Sequence, residues 1–237
     1  MADGMLAYHI DLKRAMWART YLDTMVDRLR GWGFNTLIYE VEDKFRFSRH
    51  PAIQSPQAPT NAETADFAAS CRAKGVEVMP LVQTLGHSEF VLGKPDYAHL
   101  REMPDAIDQY DPLSEEARGL IIDLCDEVID VFQPREFFHV GGDETWSLGR
   151  SRKCAPVVEK IGVGGLYLKH MLPIIEHVHG RGLRPIIWAD IVLSHPEVIR
   201  DIPTYVVLMD WDYWTCEERP DSIMVWEEPT TAAGTAA

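Results

Sequence analysis

The chain has 237 residues, 46% of them hydrophobic and 25% charged, with a formal net charge of −14 at pH 7. That length buries a substantial core and fits one domain of α/β-barrel size, and the apolar fraction excludes general disorder. The acidity, with no basic patch, excludes a nucleic-acid partner, and no run approaches the roughly 20 apolar residues of a membrane span.

Met1-Ala2-Asp3-Gly4 lacks the basic start and apolar run of a signal peptide, so a cytoplasmic protein is expected. Cys71, Cys125, Cys154 and Cys216 are far apart and show no metal-ligand spacing; the first two lie in helical patterns, where a buried free thiol is the default.

Met5 to Ile10 predicts a first strand, with His9 and Asp11 at its end. Trp17, Tyr21, Leu22, Met25, Val26 and Leu29 recur at helical spacing, and Gly31 and Gly33 close that helix. Thr36 to Tyr39 predicts strand two, followed by Glu40, Glu42 and Asp43. Ser48 to Pro59 reads as a loop, and Thr60 with Glu63 as the capping box of a helix through Lys74. Gly75 ends it, and Val76 to Val82 predicts strand three, running into Gln83-Thr84-Leu85-Gly86-His87. The segment Ser88 to Pro112 is too long for a mere connector. Ser114 caps the next helix, whose apolar face runs from Leu120 to Phe132 and whose Glu115 and Glu116 suit the helix dipole.

Strand four is the stretch Glu136-Phe137-Phe138-His139-Val140, which stops at Gly141-Gly142 and is followed at once by Asp143-Glu144-Thr145-Trp146. Neighbouring side chains of a regular strand face opposite ways, so Asp143 and Glu144 share a pocket only if the glycines bend the backbone. Two crowded carboxyls do not both ionise easily, and a charged group beside a neutral acid is the equipment of acid-assisted bond cleavage. A helix is expected from about Leu166 to His179, with Pro173 kinking it or marking its start. Pro185 to Ala189 predicts strand five, ending Trp188-Ala189-Asp190. A short helix over Pro196 to Arg200 precedes strand six, Thr204 to Met209, which ends Asp210-Trp211.

Strand and helix thus alternate six times, the pattern of a parallel α/β sheet. Every strand ends in polar or aromatic groups, which is the layout of a (β/α)₈ TIM-type barrel with its site at the strand C-termini. Neither a GxGxxG nor a Walker loop is present, which argues against an open nucleotide-binding sheet, and no cofactor is implied. Six units are fewer than eight. Ile223 to Trp226 offers a seventh strand, and the expected division is a partial barrel domain over 1–228 with a disordered tail over 229–237. Open sheet edges would invite a second copy to pair, so homo-oligomers and a weakly stable, weakly active chain are expected.

The segment His139-Val140-Gly141-Gly142-Asp143-Glu144 resembles the H-x-G-G-D-E signature of glycoside hydrolase family 20, the β-N-acetylhexosaminidases. Tyr39 to Phe45, Pro80 to His87, Tyr97 to Glu102 and Trp211-Asp212-Tyr213 are similar to its hexosaminidase D-like branch. The resemblance implies retaining hydrolysis of N-acetylhexosamine-containing glycoconjugates or oligosaccharides, with the substrate's own 2-acetamido oxygen as nucleophile. It implies Glu144 as general acid and then base, and Asp143 as the partner of the acetamido N–H. It implies Trp188 and Trp211 as walls of the acetamido pocket and His87 as part of the active-site network. Trp146 and Asp190 join the expected substrate-binding residues; His139, Glu42 and Asp43 are expected to brace the site. The family's sugar-binding arginine of strand one has no obvious counterpart, nor do its Tyr and Asp of strand seven; Trp226-Glu227-Glu228 follows strand six too closely to stand for the Trp and Glu of strand eight. Two other readings compete. One is a carbohydrate-binding remnant without activity; the other is a metal-dependent barrel hydrolase using His9, Asp11, His87, His139 and Asp143.

Overall fold

The computed structural model describes residues 4–211 together with two strands further on, Ser222–Val225 and Glu228–Thr231. Strands β1 (Ala7–Asp11), β2 (Thr36–Glu40), β3 (Glu77–Leu81), β4 (Phe137–His139), β5 (Arg184–Trp188) and β6 (Val207–Met209) form one sheet in chain order. Every neighbouring pair is parallel. The connections carry α1 (Arg19–Gly31), α2 (Asn61–Ala73), α3 (Glu89–Leu92), α4 (Glu115–Phe132), α5 (Ala155–Gly180) and α6 (Asp190–Ser194). Sequential strand order is that of a barrel wall; a doubly wound sheet reverses direction at a switch point. The architecture is an incomplete (β/α) TIM-type barrel.

Alternation along the strands sorts the core into two layers. Leu37, Tyr39, Val78, Phe138 and Ile187 pack outward against the helices in the main cluster. Ile38, Met79, Leu81 and Ile186 form a second cluster with Phe137, Trp188, Val207 and Met209 on the opposite, inner face. The helices present their apolar stripes as the spacing predicts: α1 buries Leu22, Val26 and Leu29, and α4 buries Leu120, Leu124, Val128 and Phe132 among others. The capping box before α2 is formed in both directions between Thr60 and Glu63, and Ser114 caps α4 by accepting from the Ala117 N–H at 3.1 Å.

Three expectations are corrected. The break in α5 lies at Gly162 (φ 73), not at Pro173, which sits within the helix. Glycine reaches that left-handed angle at little steric cost, while the buried Met171, Ile174, Ile175 and Val178 hold the proline-bearing turns against the core. Strand six is shorter than expected because Val206 N–H donates to the Pro203 carbonyl at 3.0 Å, closing a turn over Thr204 and Tyr205. The expected seventh strand exists as β7 (Ser222–Val225), but it pairs antiparallel with β8 (Glu228–Thr231). A two-residue connection joins only antiparallel strands, since a parallel return needs a long crossover. The boundary expected at residue 228 therefore falls where β8 begins; residues 232–237, like Cys216 and Trp226, lie outside the described residues.

The segment expected to be more than a connector contains α3, a 3-10 turn over Pro95–Leu100 and an antiparallel bridge from Arg101 to Tyr110. Cys71, Cys125 and Cys154 are buried free thiols, and burial pushes Cys71 up to about 12. Among the described residues no helix is long and apolar enough to cross a membrane.

Phe132 ties α4 to the outer face of the sheet, with its ring 5.6 Å from that of Tyr39 and 6.2 Å from that of Phe45. Phe132→Ala should cost about 3–5 kcal/mol, the usual penalty for emptying an aromatic core position. Urea unfolding checks it: the midpoint should fall while the slope stays unchanged, and a midpoint like that of the unmodified protein would contradict this packing.

Candidate active site

The parallel register sets Asp11 beside Glu40, Glu40 beside Leu81, and Leu81 beside His139. The polar ends of β1 to β4 therefore share one rim. Beyond β3 the backbone turns left-handed at His87 (φ 52), and beyond β4 it does so at Gly141 (φ 62), Gly142 (φ 91) and Glu144 (φ 52). Left-handed residues other than glycine cost roughly 1–3 kcal/mol each and cluster at functional sites. The close approach also requires Gly86, where an added β-carbon would overlap the carbonyl oxygen of Asp143.

These turns bring three side chains together. His87 Nε2 lies 3.0 Å from Glu144 Oε2 and 3.4 Å from Asp143 Oδ2. Burial alone would lower the imidazole's pKa, but the hydrogen bonds to Asp143 and Glu144 outweigh it and pull it up to about 10. On the far side of the ring, Lys13 Nζ is 3.2 Å from Nδ1 and 3.4 Å from Glu89 Oε2. The second oxygen of Asp143, Oδ1, is buried and has no hydrogen-bond partner among the described residues.

Asp190 joins the group through the backbone. At the start of α6, its Oδ2 accepts the N–H of Glu144 at 2.9 Å and so holds the left-handed residue in place. Burial raises the Asp190 carboxyl to about 7; the Glu144 and Ile191 N–H groups oppose this, and the neighbouring Asp143 and Glu144 charges add to it. Asp190, expected among the substrate-binding residues, lies at this site and holds the turn that carries Glu144.

His139 is fully buried, accepts the Gly141 N–H at Nδ1 (2.9 Å) and packs its ring 4.5 Å from that of Trp188. Burial holds this imidazole down at about 3, so it is neutral. Trp188 also faces the His9 ring at 5.9 Å on the inner face of the sheet. Glu42 is buried, with φ 49, and burial together with the Glu40 charge pushes its carboxyl well above the ordinary range. Burial would raise Glu40 as well, yet hydrogen bonds from His9 Nε2 and Gln83 Nε2, each 2.9 Å, hold it below the ordinary range.

Asp43 pairs with Lys44 and not with His87, Asp143 or Glu144. Trp146 stays 50% exposed beside the pair, and Trp211 is partly buried at the end of the described stretch. A cavity of about 460 Å³ is lined by Lys13, Arg14, Glu42, Asp43, Glu89 and Lys94 among others, sharing Lys13 and Glu89 with the surroundings of His87. Ligand atoms lie within 4.8 Å of one another in His87–Asp143–Glu144 and in Asp11–Glu40–Glu42, spacing that a divalent ion could bridge. In the first set hydrogen bonds already account for the spacing, and in the second the Lys13 ammonium faces the carboxylates.

Two supporting residues were not singled out from sequence. The buried carboxylate of Glu102 accepts from Gln109 Nε2 (2.7 Å), Gly149 N–H (3.2 Å) and Ser151 N–H (3.0 Å), which ties the long segment to the loop after Glu144. Lys13, two residues past Asp11, is the other; its place directly after a strand was the available signal.

Residues 7–233 match the family model for glycosyl hydrolase family 20, catalytic domain. The chain belongs to this family. Over 217 residues it is 31% identical to a hexosaminidase D of Bos taurus, covering 88% of this chain and 63% of the relative. It is 30% identical over 217 residues to a hexosaminidase D of Homo sapiens, covering 88% and 45%. The chain thus spans less than two thirds of each of these relatives. The fold is also that of the family 20 chitobiase of Flavobacterium johnsoniae, with a TM-score of 0.76 at 18% identity, covering 88% of this chain and 34% of that one.

The Asp190 environment generates a pH prediction. Its folded pKa of about 7 lies above the ordinary value of 3.8, so between these limits the native state keeps a proton that the unfolded chain has lost. Its contribution to stability is then full below the lower value and declines as pH rises toward the upper one. Asp190→Asn keeps the acceptor for Glu144 but cannot ionise. Relative to the unmodified protein, its urea midpoint should gain more at pH 8 than at pH 4. An equal difference at both would contradict the raised carboxyl.

Proposed function

We propose that the chain is the catalytic barrel of an exo-acting β-N-acetylhexosaminidase that hydrolyses terminal N-acetylglucosaminides or N-acetylgalactosaminides with retention. The observation that carries this is the His87-bridged pair in which Glu144 faces the imidazole while Asp143 keeps one buried oxygen unpartnered. Membership of the family supports the same reading.

In the first step Glu144 gives its proton to the glycosidic oxygen as the C1–O bond breaks. The 2-acetamido carbonyl oxygen of the same sugar attacks C1 and closes an oxazolinium-like ring. Asp143 accepts the acetamido N–H through its free oxygen and offsets the positive charge that develops there. In the second step Glu144, now a carboxylate, takes a proton from water, whose oxygen opens the ring at C1 and returns the β-configured sugar. Trp188, on the inner face beside His139, offers an apolar wall for the acetamido methyl, and Trp211 is assigned the same task from its sequence match. The close grouping of His87, Asp143 and Glu144 supports a working site over a carbohydrate-binding remnant.

Turnover of aryl glycosides tests the proposal. An N-acetyl-β-glucosaminide should be cleaved and the matching β-glucoside, which has no acetamido group, should not. Glu144→Gln should cost a factor of about 10² or more on a poor leaving group and much less on a good one, because acid assistance supplies about that factor. Equal cleavage of the two sugars would defeat the substrate-assisted route, and equal losses on both leaving groups would remove Glu144 from the acid role.

A further inference from the structure

Lysine and arginine total 23 in this chain against 37 aspartates and glutamates, so a cation that faces open space with no acid beside it is an exception. Two such cations stand at the cavity of about 460 Å³ that adjoins the surroundings of His87. Arg14 and Lys94 both line it, and neither has an ion pair or a side-chain hydrogen bond among the described residues. The volume falls within the roughly 300–1,000 Å³ of small-molecule sites. The carboxyls of the same wall are already occupied. Glu89 faces Lys13 at 3.4 Å, and Asp43 pairs with Lys44. Glu42 is buried, and burial with the Glu40 charge pushes its carboxyl well above the ordinary range, so it adds little negative charge. What the wall leaves unmet is positive.

We infer that this cavity is a subsite for an acidic leaving residue, in which Arg14 and Lys94 receive the carboxylate of a hexuronate, or a sulfate ester, on the sugar that follows the cleaved bond. The lining fixes its place relative to the chemistry. Lys13 and Arg14 follow β1, Glu42 and Asp43 follow β2, and Glu89 and Lys94 follow β3, so the cavity lies on the rim made by the C-terminal ends of the strands. Glu144 protonates the bond to the leaving residue. His87 touches Glu144 at 3.0 Å, Lys13 stands 3.2 Å from the other nitrogen of that ring, and the cavity begins at Lys13. The terminal sugar is kept on the inner face with Trp188, so the next residue along is the one within reach of the rim.

The two cations suit such a group in different ways. A guanidinium offers paired N–H donors that match the oxygens of a carboxylate or a sulfate, and an ammonium adds a point charge on a long stem. The formal charge of −14 on the whole chain does not repel the ligand from this place, because salt screens charges beyond about 8 Å at physiological ionic strength and the nearest groups decide. A neutral sugar would leave both cations without a partner and gain nothing from them. Selectivity follows from that difference in charge, not from shape.

This inference rests on the hydrolase reading, and the test separates the two. Values of kcat/KM are compared for N-acetylglucosamine β-linked to glucuronate, to glucose and to glucose 6-sulfate, leaving residues that differ only at C6. At least one acidic substrate should exceed the neutral one by roughly tenfold, the usual effect of a charge-assisted hydrogen bond, and the margin should shrink at high salt. The acid that carries the preference identifies the anionic group. Arg14→Gln combined with Lys94→Gln should bring the ratio of acidic to neutral substrate close to one. Arg14 is exposed and Lys94 half-buried, with no partner to lose, so the fold tolerates the change. The same disaccharides with sulfur in place of the glycosidic oxygen, titrated by calorimetry, give the ratio of affinities without turnover. Equal kcat/KM for all three, or a preference that survives the double substitution, would overturn the subsite and leave the hydrolase intact. If nothing is hydrolysed while an acidic thio-analogue binds more tightly by way of Arg14 and Lys94, the hydrolase reading fails and the anionic subsite stands.

Discussion

The site depends on one bridge, the imidazole of His87 held between Glu144 at 3.0 Å and Asp143 at 3.4 Å. Neither end of that bridge is reached by regular secondary structure. His87 and Glu144 both occupy left-handed backbone, a conformation that a side chain adopts only where its surroundings insist. The insistence comes from neighbours. Asp190 holds the Glu144 N–H, Gly86 leaves room for the Asp143 carbonyl, and Thr84 Oγ1 donates to the Val140 carbonyl at 2.6 Å, locking the two loops edge to edge. Parallel pairing of β3 with β4 is what puts those loops next to each other, so the barrel wall is the precondition for the chemistry.

Around the bridge the inner face sorts its charges by partner. His139 is buried beside Trp188 and stays neutral, which gives a polar but uncharged floor. Glu40 is ionised through His9 and Gln83, while its neighbour Glu42 is pushed toward the neutral acid. The whole chain carries a formal charge of −14, and its site concentrates carboxyls where a sugar would develop positive charge. Such fixed groups stabilise a developing cation better than water does, because they need no reorganisation as it forms.

Much of this was legible in the sequence. Short apolar runs alternating with helical spacings marked six βα units, and the Thr60–Glu63 cap is formed as expected. The Gly-Gly before Asp143-Glu144 signalled a bend that lets adjacent carboxyls share a partner, and the left-handed angles bear that out. What was not legible depends on tertiary distance. Lys13 and His87 are 74 residues apart, and the Glu102 clasp on Gly149 and Ser151 spans nearly fifty, so no local pattern announces either. Pro173 misled because a local rule about prolines yields to the packing of α5, and β7 because a short apolar run does not say with which strand it pairs.

The central claim is that the pocket is built for the cyclic, positively charged form of a 2-acetamido sugar. Calorimetric titration with a non-hydrolysable bicyclic thiazoline analogue of that form, beside N-acetylglucosamine itself, tests it most directly. Complementarity to the intermediate predicts that the analogue binds at least about 10²-fold more tightly than the sugar, and that Asp143→Asn removes most of that advantage. An analogue that binds no better than the free sugar would contradict the account.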